Sequence, residues 1–136
     1  MADEFMLSIV APDRALLEEP IHSVILPAAN GYMGALKGHE PYIASLKAGY
    51  VEYQDAQGQR HFVAVSGGFV EIANNTVSIL ADSAERSTEI DISKAEAELE
   101  HARQALKGGD SPMSHEQAVS ELEKAMTRIK VAKMGN

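Results

Sequence analysis

Residues 26–49, LPAANGYMGALKGHEPYIASLKAG, contain the turn residues that decide how this chain folds. The stretch carries four glycines and two prolines, and five of these residues fall at expected corners: Gly31, Gly34, Gly38, Pro27 and Pro41. Glycine reaches positive φ without strain, whereas proline fixes φ near about −65° and removes a hydrogen-bond donor from a strand. The stretch therefore predicts short strands joined by tight corners, and its pattern indicates turns and not a reactive site.

Length and composition limit the chain to one modest domain, or to a small domain with an appendage. It has 136 residues, of which 45% are apolar, with no cysteine and no tryptophan. The lack of cysteine excludes disulfide bonds and thiolate catalysis. No apolar run approaches the roughly 20 residues that cross a bilayer, and the acidic start, MADEF, differs from the basic start of a signal or transit peptide.

Apolar residues from Phe5 to about Ile90 recur at spacing two or in short runs, which is typical of strands. Pairs of turn-forming residues separate these runs: Pro12-Asp13, Asn30-Gly31, Gln57-Gly58, Gly67-Gly68 and Asn74-Asn75. We predict an antiparallel β-sandwich, or a flattened barrel, of about 8–10 short strands over residues 1–87.

The period changes to that of helices after Ile90. Two apolar stripes then recur at alternating steps of three and four residues: Ile92, Ala95, Leu99, Ala102 and Leu106, followed by Ala118, Leu122, Ala125, Ile129 and Ala132. Between them, Gly108-Gly109 favours a helix end, and Ser114 with Gln117 has the pattern of a capping box. We predict an antiparallel two-helix hairpin over residues 88–136, and hence an α+β chain.

Alanine makes up half of the two stripes, so the hairpin is expected to be weakly packed. An alanine buries far less apolar area than a leucine, whose full burial contributes roughly 1.5–3 kcal/mol. A hairpin of this kind can open or dock elsewhere for a few kcal/mol, the scale on which ligands shift populations. The alternative is that the hairpin is a permanent cap on the strands.

Charge is distributed unevenly along this chain of net charge −8. Residues 1–90 contain 12 acidic and 5 basic side chains, whereas residues 91–136 contain 8 and 7. From residue 124 onward there are basic residues and no acidic one: Lys124, Arg128, Lys130 and Lys133. A cationic end on an acidic protein favours contact with an acidic surface or an anion. The alternative is simple stabilisation of a helix C-terminus, at about 0.3–1 kcal/mol per cation.

The sequence shows no constellation that would make the chain an enzyme by itself. The five histidines are scattered, and the His-Glu pairs at 39–40 and 115–116 lack a second histidine four residues after the first. No Gly-x-Ser-x-Gly elbow and no phosphate-cradling P-loop occurs. We therefore predict no catalytic residues, no metal site and no required cofactor.

The glycine-rich stretch also resembles a signature of the epsilon subunits of F-type ATP synthases. A Leu-Pro strand end at 26–27, the Gly-His-Glu-Pro corner at 38–41 and the Leu46–Gly49 strand start follow in the order of that family. Residues 62–82, FVAVSGGFVEIANNTVSILAD, carry the family's Gly-Gly-Phe and Asn-Asn patterns, and Ala-Glu-Arg at 84–86 resembles its exit from the last strand. The resemblance covers nearly the whole chain.

This resemblance implies a non-catalytic rotor subunit that links the gamma subunit to the membrane ring of c subunits in proton-coupled ATP synthesis. The hairpin would be an arm that regulates ATP hydrolysis by the catalytic alpha/beta head. No nucleic acid is expected as a partner. The chain would be peripheral to the membrane, at the cytoplasmic face of a bacterial inner membrane rather than at a plastid thylakoid. The candidate contact residues lie at the ring end and among the C-terminal cations: Gly31, Gly34, His39, Lys124, Arg128, Lys130 and Lys133.

The start of the first helix resembles an ATP-binding motif, Ile/Leu-Asp-x-x-Arg-Ala, of bacterial members of the family. This chain has Ile90-Asp91-x-x-Lys94-Ala95, so lysine replaces the arginine and its planar bidentate fork is lost. The resemblance makes ATP, with or without Mg²⁺, an expected regulatory ligand. Arg103 and Arg128 would supply cations to its phosphates if the two helices lie side by side. The candidate residues are therefore Glu85, Ile90, Asp91, Lys94, Ala95, Arg103 and Arg128. The alternative is that Asp91, or Ser93 with Glu96, caps the helix, which is worth about 1 kcal/mol.

Two other classes of function stay open at the level of sequence. One is a freestanding nucleotide-sensing module, in which the hairpin responds to ATP outside any motor. The other is an isomerase or hydrolase on a small sandwich, which would need an acid/base pair that the sequence does not reveal.

Overall fold

The computed structural model describes residues 3–108 and 112–135 of the chain. Within them, strands come first and helices last, so the predicted α+β class with a C-terminal helical hairpin is confirmed. A short 3₁₀ turn at Ser87–Glu89 joins the two parts. The elements are β1 (Phe5–Ala11), β2 (Arg14–Ala28), β3 (Gly31–Ala35), β4 (Tyr42–Asp55), β5 (Arg60–Ala73), β6 (Thr76–Ala81), β7 (Ala84–Arg86), α1 (Ile92–Leu106) and α2 (His115–Met134).

Five of the strands close into a flattened barrel in the order β1-β6-β5-β4-β2, with β2 pairing back to β1. β3 extends the sheet beyond β2, and β7 adds to β5. The pairing of β1 with β6 is parallel, so the prediction of a wholly antiparallel body is wrong for this pair. A ring of five strands forces this exception, because directions cannot alternate around an odd number of strands.

The described chain has seven strands, not the predicted 8–10 short ones, and three of the seven are 14 or 15 residues long. The difference arises largely at Gly67 and Gly68, whose φ angles are +124° and +123°. They bend β5 without ending it, and the backbone of Leu80 lies where a side chain on Gly68 would begin. A paired glycine therefore marks a bend inside a strand here, and not the predicted turn.

The other predicted corners explain how the strands connect. Asn74 and Asn75 both lie in the left-handed region, with φ of 53° and 57°, and join β5 to β6 in a two-residue hairpin turn. Gly31 and Gly38 also have positive φ. Gly34 differs, because it lies within β3 opposite Ile25 and is not among the positive-φ residues.

One apolar core fills the barrel, and its described members all belong to strands. Its largest fully buried side chains are Leu7, Ile9, Ile21, Leu26, Tyr53 and Ile79. Tyr53 is the one aromatic ring among them, which agrees with the low aromatic content of the chain. The hairpin therefore lies outside the core that holds the body together.

The helices begin at side-chain caps. Asp91 accepts a hydrogen bond from the backbone of Lys94 at 3.1 Å and caps α1, which selects Asp91 and not Ser93 between the two predicted caps. Ser114 and Gln117 form the predicted capping box at the start of α2. Gly108 follows α1 with φ of +83°, as a helix end requires, whereas its predicted companion Gly109 lies outside the described residues.

The hairpin buries small side chains. Its fully buried described residues are five alanines and one valine: Ala95, Ala102, Ala118, Ala125, Ala132 and Val131. The larger members of the predicted stripes, such as Leu99, Leu122 and Ile129, are only half-buried. The contact between the helices therefore contributes much less burial free energy than a leucine-lined contact of the same length would.

Candidate functional site

A cleft of about 420 Å³ lies where the helical hairpin rests on the barrel. Its walls come from the start of β2 with the turn before it, from β5 and β7, and from α1 and α2. The volume falls within the range of small-molecule sites, roughly 300–1,000 Å³. Its charged lining consists of four acids and three bases: Asp13, Glu85, Glu98, Glu121, Arg14, Lys124 and Arg128.

A carboxylate clamp closes around one arginine at this cleft. Arg128 on α2 donates through Nε to Glu85 on β7 at 2.8 Å, and through Nη1 to Glu98 on α1. The Arg128 side chain is 20% exposed, so water screens these contacts less than it screens a surface pair. The hydrogen bond that Arg128 donates to Glu85 raises the pKa of Arg128 above its ordinary value, and Glu98 adds to the effect. One guanidinium thus ties the barrel and both helices together.

A second ion pair lies beside the junction of the two parts. Arg14 donates from Nη1 and Nη2 to the two carboxylate oxygens of Glu89, at 2.9 Å each. The same carboxylate accepts a hydrogen bond from the backbone of Arg86. These donors, Arg14 first, lower the pKa of Glu89 below its ordinary value. The pair fixes the 3₁₀ turn from which α1 departs.

Of the seven predicted nucleotide-binding residues, two line the cleft and five do not. Glu85 and Arg128 line the cleft and contact each other. Asp91 is used as the cap of α1, and Ala95 is fully buried. Lys94 is exposed, Ile90 is half-buried, and Arg103 faces Glu100 at 4.0 Å on the exposed side of α1.

The basic side chains of the cleft are already paired with acids, which limits the anions that the cleft can bind. Arg128 already has two carboxylate partners, and Arg14 has one. A polyphosphate entering here would have to exchange with Glu85 or Glu98, because four acids line the same space. The residues therefore fit an anionic ligand only where a phosphate replaces a carboxylate on Arg128.

The predicted contact residues at the other surface lie on and after β3. Gly31 and Gly34 belong to this strand, which pairs with β2. His39 follows it at the Gly-His-Glu-Pro corner, where its Nδ1 lies 2.7 Å from the carbonyl oxygen of Glu40. Gly38 donates its N–H to the side chain of Asn75, which ties this corner to the β5–β6 turn.

The four predicted C-terminal cations have different surroundings in the docked hairpin. Arg128 is held in the carboxylate clamp, and Lys130 lies 5.3 Å from the centre of the Tyr50 ring on β4. Lys124 lies 3.8 Å from Glu121 on the same helix, and Lys133 is exposed. Three of the four cations therefore have a partner within this chain.

An apolar row crosses the outside of the barrel. Phe69 on β5 lies opposite Leu80 on β6, and Leu80 lies opposite Val10 on β1. Phe69 and Leu80 are 59% and 60% exposed, and Ile43 on β4 is 71% exposed nearby. Exposed apolar residues in a row of this kind mark a surface suited to another protein.

Several residues of the site were not singled out from the sequence. Glu98, Arg14 and Glu89 each contribute to an ion pair at the hairpin junction. The sequence contained a signal for Glu98. It lies beside the apolar stripe of the first helix, between Ala95 and Ala102, and Arg128 lies beside the stripe of the second helix. Two helices that face each other along these stripes bring the two charges together. The Arg14–Glu89 pair joins residues 75 positions apart, and no local pattern reveals it.

Two negative findings apply to residues 3–108 and 112–135. They contain no cluster of three or more histidine, cysteine or acidic residues arranged to hold a metal ion. Neither of their helices has both the length and the apolar character that a membrane span requires.

Comparison with known proteins adds an independent finding. Residues 4–87 match the family described as "ATP synthase, Delta/Epsilon chain, beta-sandwich domain", and residues 88–133 match "ATP synthase, Delta/Epsilon chain, long alpha-helix domain". The chain belongs to the ATP synthase delta/epsilon family. The resemblance inferred from the glycine-rich stretch is thereby confirmed.

Individual relatives within the delta/epsilon family cover almost the entire chain. An "ATP synthase epsilon chain" of Desulforamulus reducens is 41% identical over 133 residues, which cover 97% of this chain and 99% of the relative. The "ATP synthase epsilon chain" of Syntrophomonas wolfei is 35% identical over 128 residues, which cover 94% and 93%. A chain in the Euglena gracilis mitochondrial ATP synthase superposes with a TM-score of 0.76 at 26% identity, covering 96% of this chain and 81% of that one.

Membership of the delta/epsilon family settles the class of function. The chain is a non-catalytic stalk subunit of an F-type ATP synthase, as the resemblance implied. The small isomerase or hydrolase and the freestanding sensor are therefore not supported.

Proposed function

We propose that the barrel links the gamma subunit to the membrane ring, and that the helical hairpin is an arm that restrains ATP hydrolysis by the catalytic head. The assembly would lie at the cytoplasmic face of a bacterial inner membrane. The observation that carries the proposal is the attachment of the hairpin, which contributes no described residue to the core and is clamped at Arg128. An element attached in this way can leave its docked position while the barrel stays folded.

Magnitudes favour an arm that moves. The buried residues of the hairpin are mostly alanines, which gain far less on burial than the roughly 1.5–3 kcal/mol of a leucine. The clamp on Arg128 adds charged hydrogen bonds, each worth about 1.5–3 kcal/mol at most because the group is partly exposed. A partner that offers comparable contacts to the released arm can therefore shift the population.

The C-terminal cations supply such contacts in the proposal. Release of the arm from the barrel frees Arg128 from Glu85 and Lys130 from Tyr50, and separation of the two helices also frees Arg128 from Glu98. Together with Lys124 and Lys133 they then make the C-terminal end of α2 a cationic segment. An acidic surface on the catalytic head is the partner that such a segment suits.

Two surfaces of the barrel suit the other proposed partners. The apolar row of Phe69, Leu80 and Val10 is assigned to the gamma subunit, because an exposed apolar surface of this kind needs cover in an assembly. The β3 segment with Gly31 and Gly34, and the corner at His39, are assigned to the ring of c subunits, as the resemblance implies. On this assignment the barrel transmits torque between them.

ATP is proposed as a regulatory ligand of the docked arm, with or without Mg²⁺. Support comes from the cleft, where Glu85 and Arg128 meet between barrel and hairpin. A phosphate that replaced Glu98 on Arg128 would leave the Arg128–Glu85 pair, and with it the tie between α2 and the barrel, in place. Lys94, in the position of the family's arginine, would give a weaker contact because an ammonium lacks the bidentate fork.

The arm is tested by neutralising three of its cations together, with Lys124, Lys130 and Lys133 replaced by glutamine. ATP hydrolysis by the reconstituted ATP synthase is measured as a function of salt concentration. We expect the variant to lose most of the inhibition, and the unchanged protein to lose inhibition as salt is raised. The matched control replaces three other exposed basic residues by glutamine: Lys47 and Arg60 on the barrel, and Lys107 after α1. Inhibition that survives in the triple variant and ignores salt would show that the cations do not bind the head.

Calorimetric titration of the purified chain with ATP, with and without Mg²⁺, tests the ligand separately. Saturable heat that disappears in Arg128→Ala supports the cleft as the site. A flat titration would remove the ligand and leave the stalk role intact.

A further inference from the structure

The hydrogen-bond ladder between β2 and β4 is interrupted at Pro27. Pairing resumes on either side, at Ile25 opposite Glu52 and at Ala28 opposite Leu46. Proline has no N–H to donate, so the ladder cannot continue through this residue. In the gap, the backbone N–H of Tyr50 donates to the hydroxyl of Tyr32 at 3.1 Å. A side chain of β3 therefore supplies a bond to β4 across the intervening strand.

Gly49 makes this crossing possible. A Cβ on Gly49 would lie 2.6 Å from the Tyr32 hydroxyl and 2.8 Å from the Cβ of Pro27. No other residue leaves room for the phenol at this place, although Gly49 does not require an unusual φ. The glycine that ends the signature stretch thus has a local role, which is to admit Tyr32.

Tyr32 and Tyr50 also contact each other through their rings, whose centres are 4.6 Å apart and whose planes are inclined by 33°. The Tyr50 ring also contacts the hairpin, because Nζ of Lys130 on α2 lies 5.3 Å from its centre. A cation at this distance is attracted to the face of an aromatic ring. A continuous set of contacts therefore runs from the hairpin through Tyr50 to Tyr32.

β3 is a strand whose order depends on such a contact. It has five residues and lies at the edge of the sheet, and its ladder partner among the described strands is β2. A short edge strand held on one side exchanges its amide hydrogens readily unless a side chain anchors it. Tyr32 is such an anchor, since its hydroxyl is bonded to β4.

We infer that the docked hairpin stabilises β3 through Lys130, Tyr50 and Tyr32, so that release of the hairpin loosens this edge of the barrel. The coupling is reciprocal, because a contact that favours the ordered strand when the hairpin is docked also favours docking when the strand is ordered. The inference goes beyond the proposed function, and it holds or fails in the isolated chain without any partner.

Hydrogen–deuterium exchange of the purified chain tests the coupling. Lys130→Gln removes the cation, and the matched control Lys133→Gln removes an exposed cation from the same end of α2. We expect exchange of amides 31–35 to rise about two- to five-fold in Lys130→Gln, the factor that a partly exposed cation–π contact supports. Lys130→Arg retains a cation over the ring and should restore protection. Lys133→Gln should leave amides 31–35 unchanged.

Tyr32→Phe distinguishes the hydrogen bond of Tyr32 from the contact between its ring and that of Tyr50. This variant keeps the ring beside Tyr50 but loses the acceptor for the Tyr50 N–H. We expect amides 31–35 and the amide of Tyr50 to exchange faster, with a smaller rise in α2. The inference is overturned if Lys130→Gln leaves amides 31–35 protected, whether or not α2 loosens. It is equally overturned if Lys133→Gln raises their exchange as much as Lys130→Gln does.

Discussion

Arg128 and Glu85 lie 43 positions apart, yet Nε and Nη2 of the arginine approach the two carboxylate oxygens of the glutamate at 2.8 and 3.3 Å. The pair joins the last helix to the last strand of the barrel. A planar guanidinium can face both oxygens at once, and a lysine cannot. The docked position of the hairpin is therefore specified by the shape of Arg128 as well as by its charge.

Replacement of Arg128 by alanine should weaken docking of α2 by about 1–2 kcal/mol, allowing for partial exposure of the pair. We expect Arg128→Lys to recover only part of this loss, because it cannot bond both oxygens of Glu85. Amide exchange in α2 and its salt dependence measure the effect. Arg103→Ala is the control, since Arg103 is exposed on α1. Equal exchange in Arg103→Ala and Arg128→Ala would contradict the clamp.

Gly68→Ala should unfold the chain or lower its free energy of unfolding by several kcal/mol. The Gly68 residue has a φ of +123°, and a Cβ there would collide with the backbone of Leu80, which cannot move aside like a flexible side chain. Gly58→Ala is the matched control, because its φ is also positive, at +84°, and its surroundings are open. We expect Gly58→Ala to cost about 1 kcal/mol. Urea unfolding compares them, and equal midpoints would refute the steric argument.

Tyr53→Phe should leave the free energy of unfolding unchanged or raise it by up to about 1 kcal/mol. The Tyr53 side chain is buried, and its hydroxyl has no hydrogen-bond partner within the part of the chain that the structure describes. Burial raises the pKa of Tyr53 to about 12. The unfolded chain ionises this phenol near pH 10, so the wild type should lose stability as the pH rises above about 10.

Tyr53→Phe should not show this loss of stability at alkaline pH, because phenylalanine does not ionise. Absorbance of tyrosinate at high pH gives a second measure, since one phenol should titrate near pH 12 while the chain stays folded. A variant that is clearly less stable than the wild type would mean that the hydroxyl is satisfied.

Glu89→Gln should remove a modest contribution to stability at neutral pH. Arg14 lowers the pKa of Glu89 in the folded chain, so the pair stabilises the fold above the unfolded value of about 4.3. This contribution is lost as the pH falls through the folded pKa. Both side chains are more than a third exposed, which limits the effect to about 1 kcal/mol or less. Unfolding at pH 7 and pH 3 measures it: the difference in stability between the two proteins should be smaller at pH 3 than at pH 7.

The sequence predicted the elements that local chemistry decides. Asn74-Asn75 tolerates left-handed backbone, so the hairpin turn was readable, and Ser114 with Gln117 specified the start of α2. The change from strand to helix spacing after Ile90 separated barrel and hairpin. These features depend on neighbours within a few positions, which a sequence displays directly.

Features that depend on distant partners were not predictable in the same way. The parallel pairing of β1 with β6 follows from closure of an odd ring, and nothing in residues 5–11 indicates it. Gly67-Gly68 has the composition of a turn, yet its use is decided by the Leu80 backbone that passes close to it. Arg128 was interpreted as a cation for phosphates or partners, but the fold places Glu85 and Glu98 around it.

The parallel seam between β1 and β6 also has a consequence for synthesis of the chain. Met6 pairs with Thr76, so the first strand cannot close the barrel until the ribosome has released β6. At about 5–20 residues per second, β1 remains without this neighbour for several seconds. The helices, whose contacts are mostly local, form in microseconds once they emerge. Until then β1 has β2 as its one available neighbour in the ring, so the barrel closes only after most of the chain has been made.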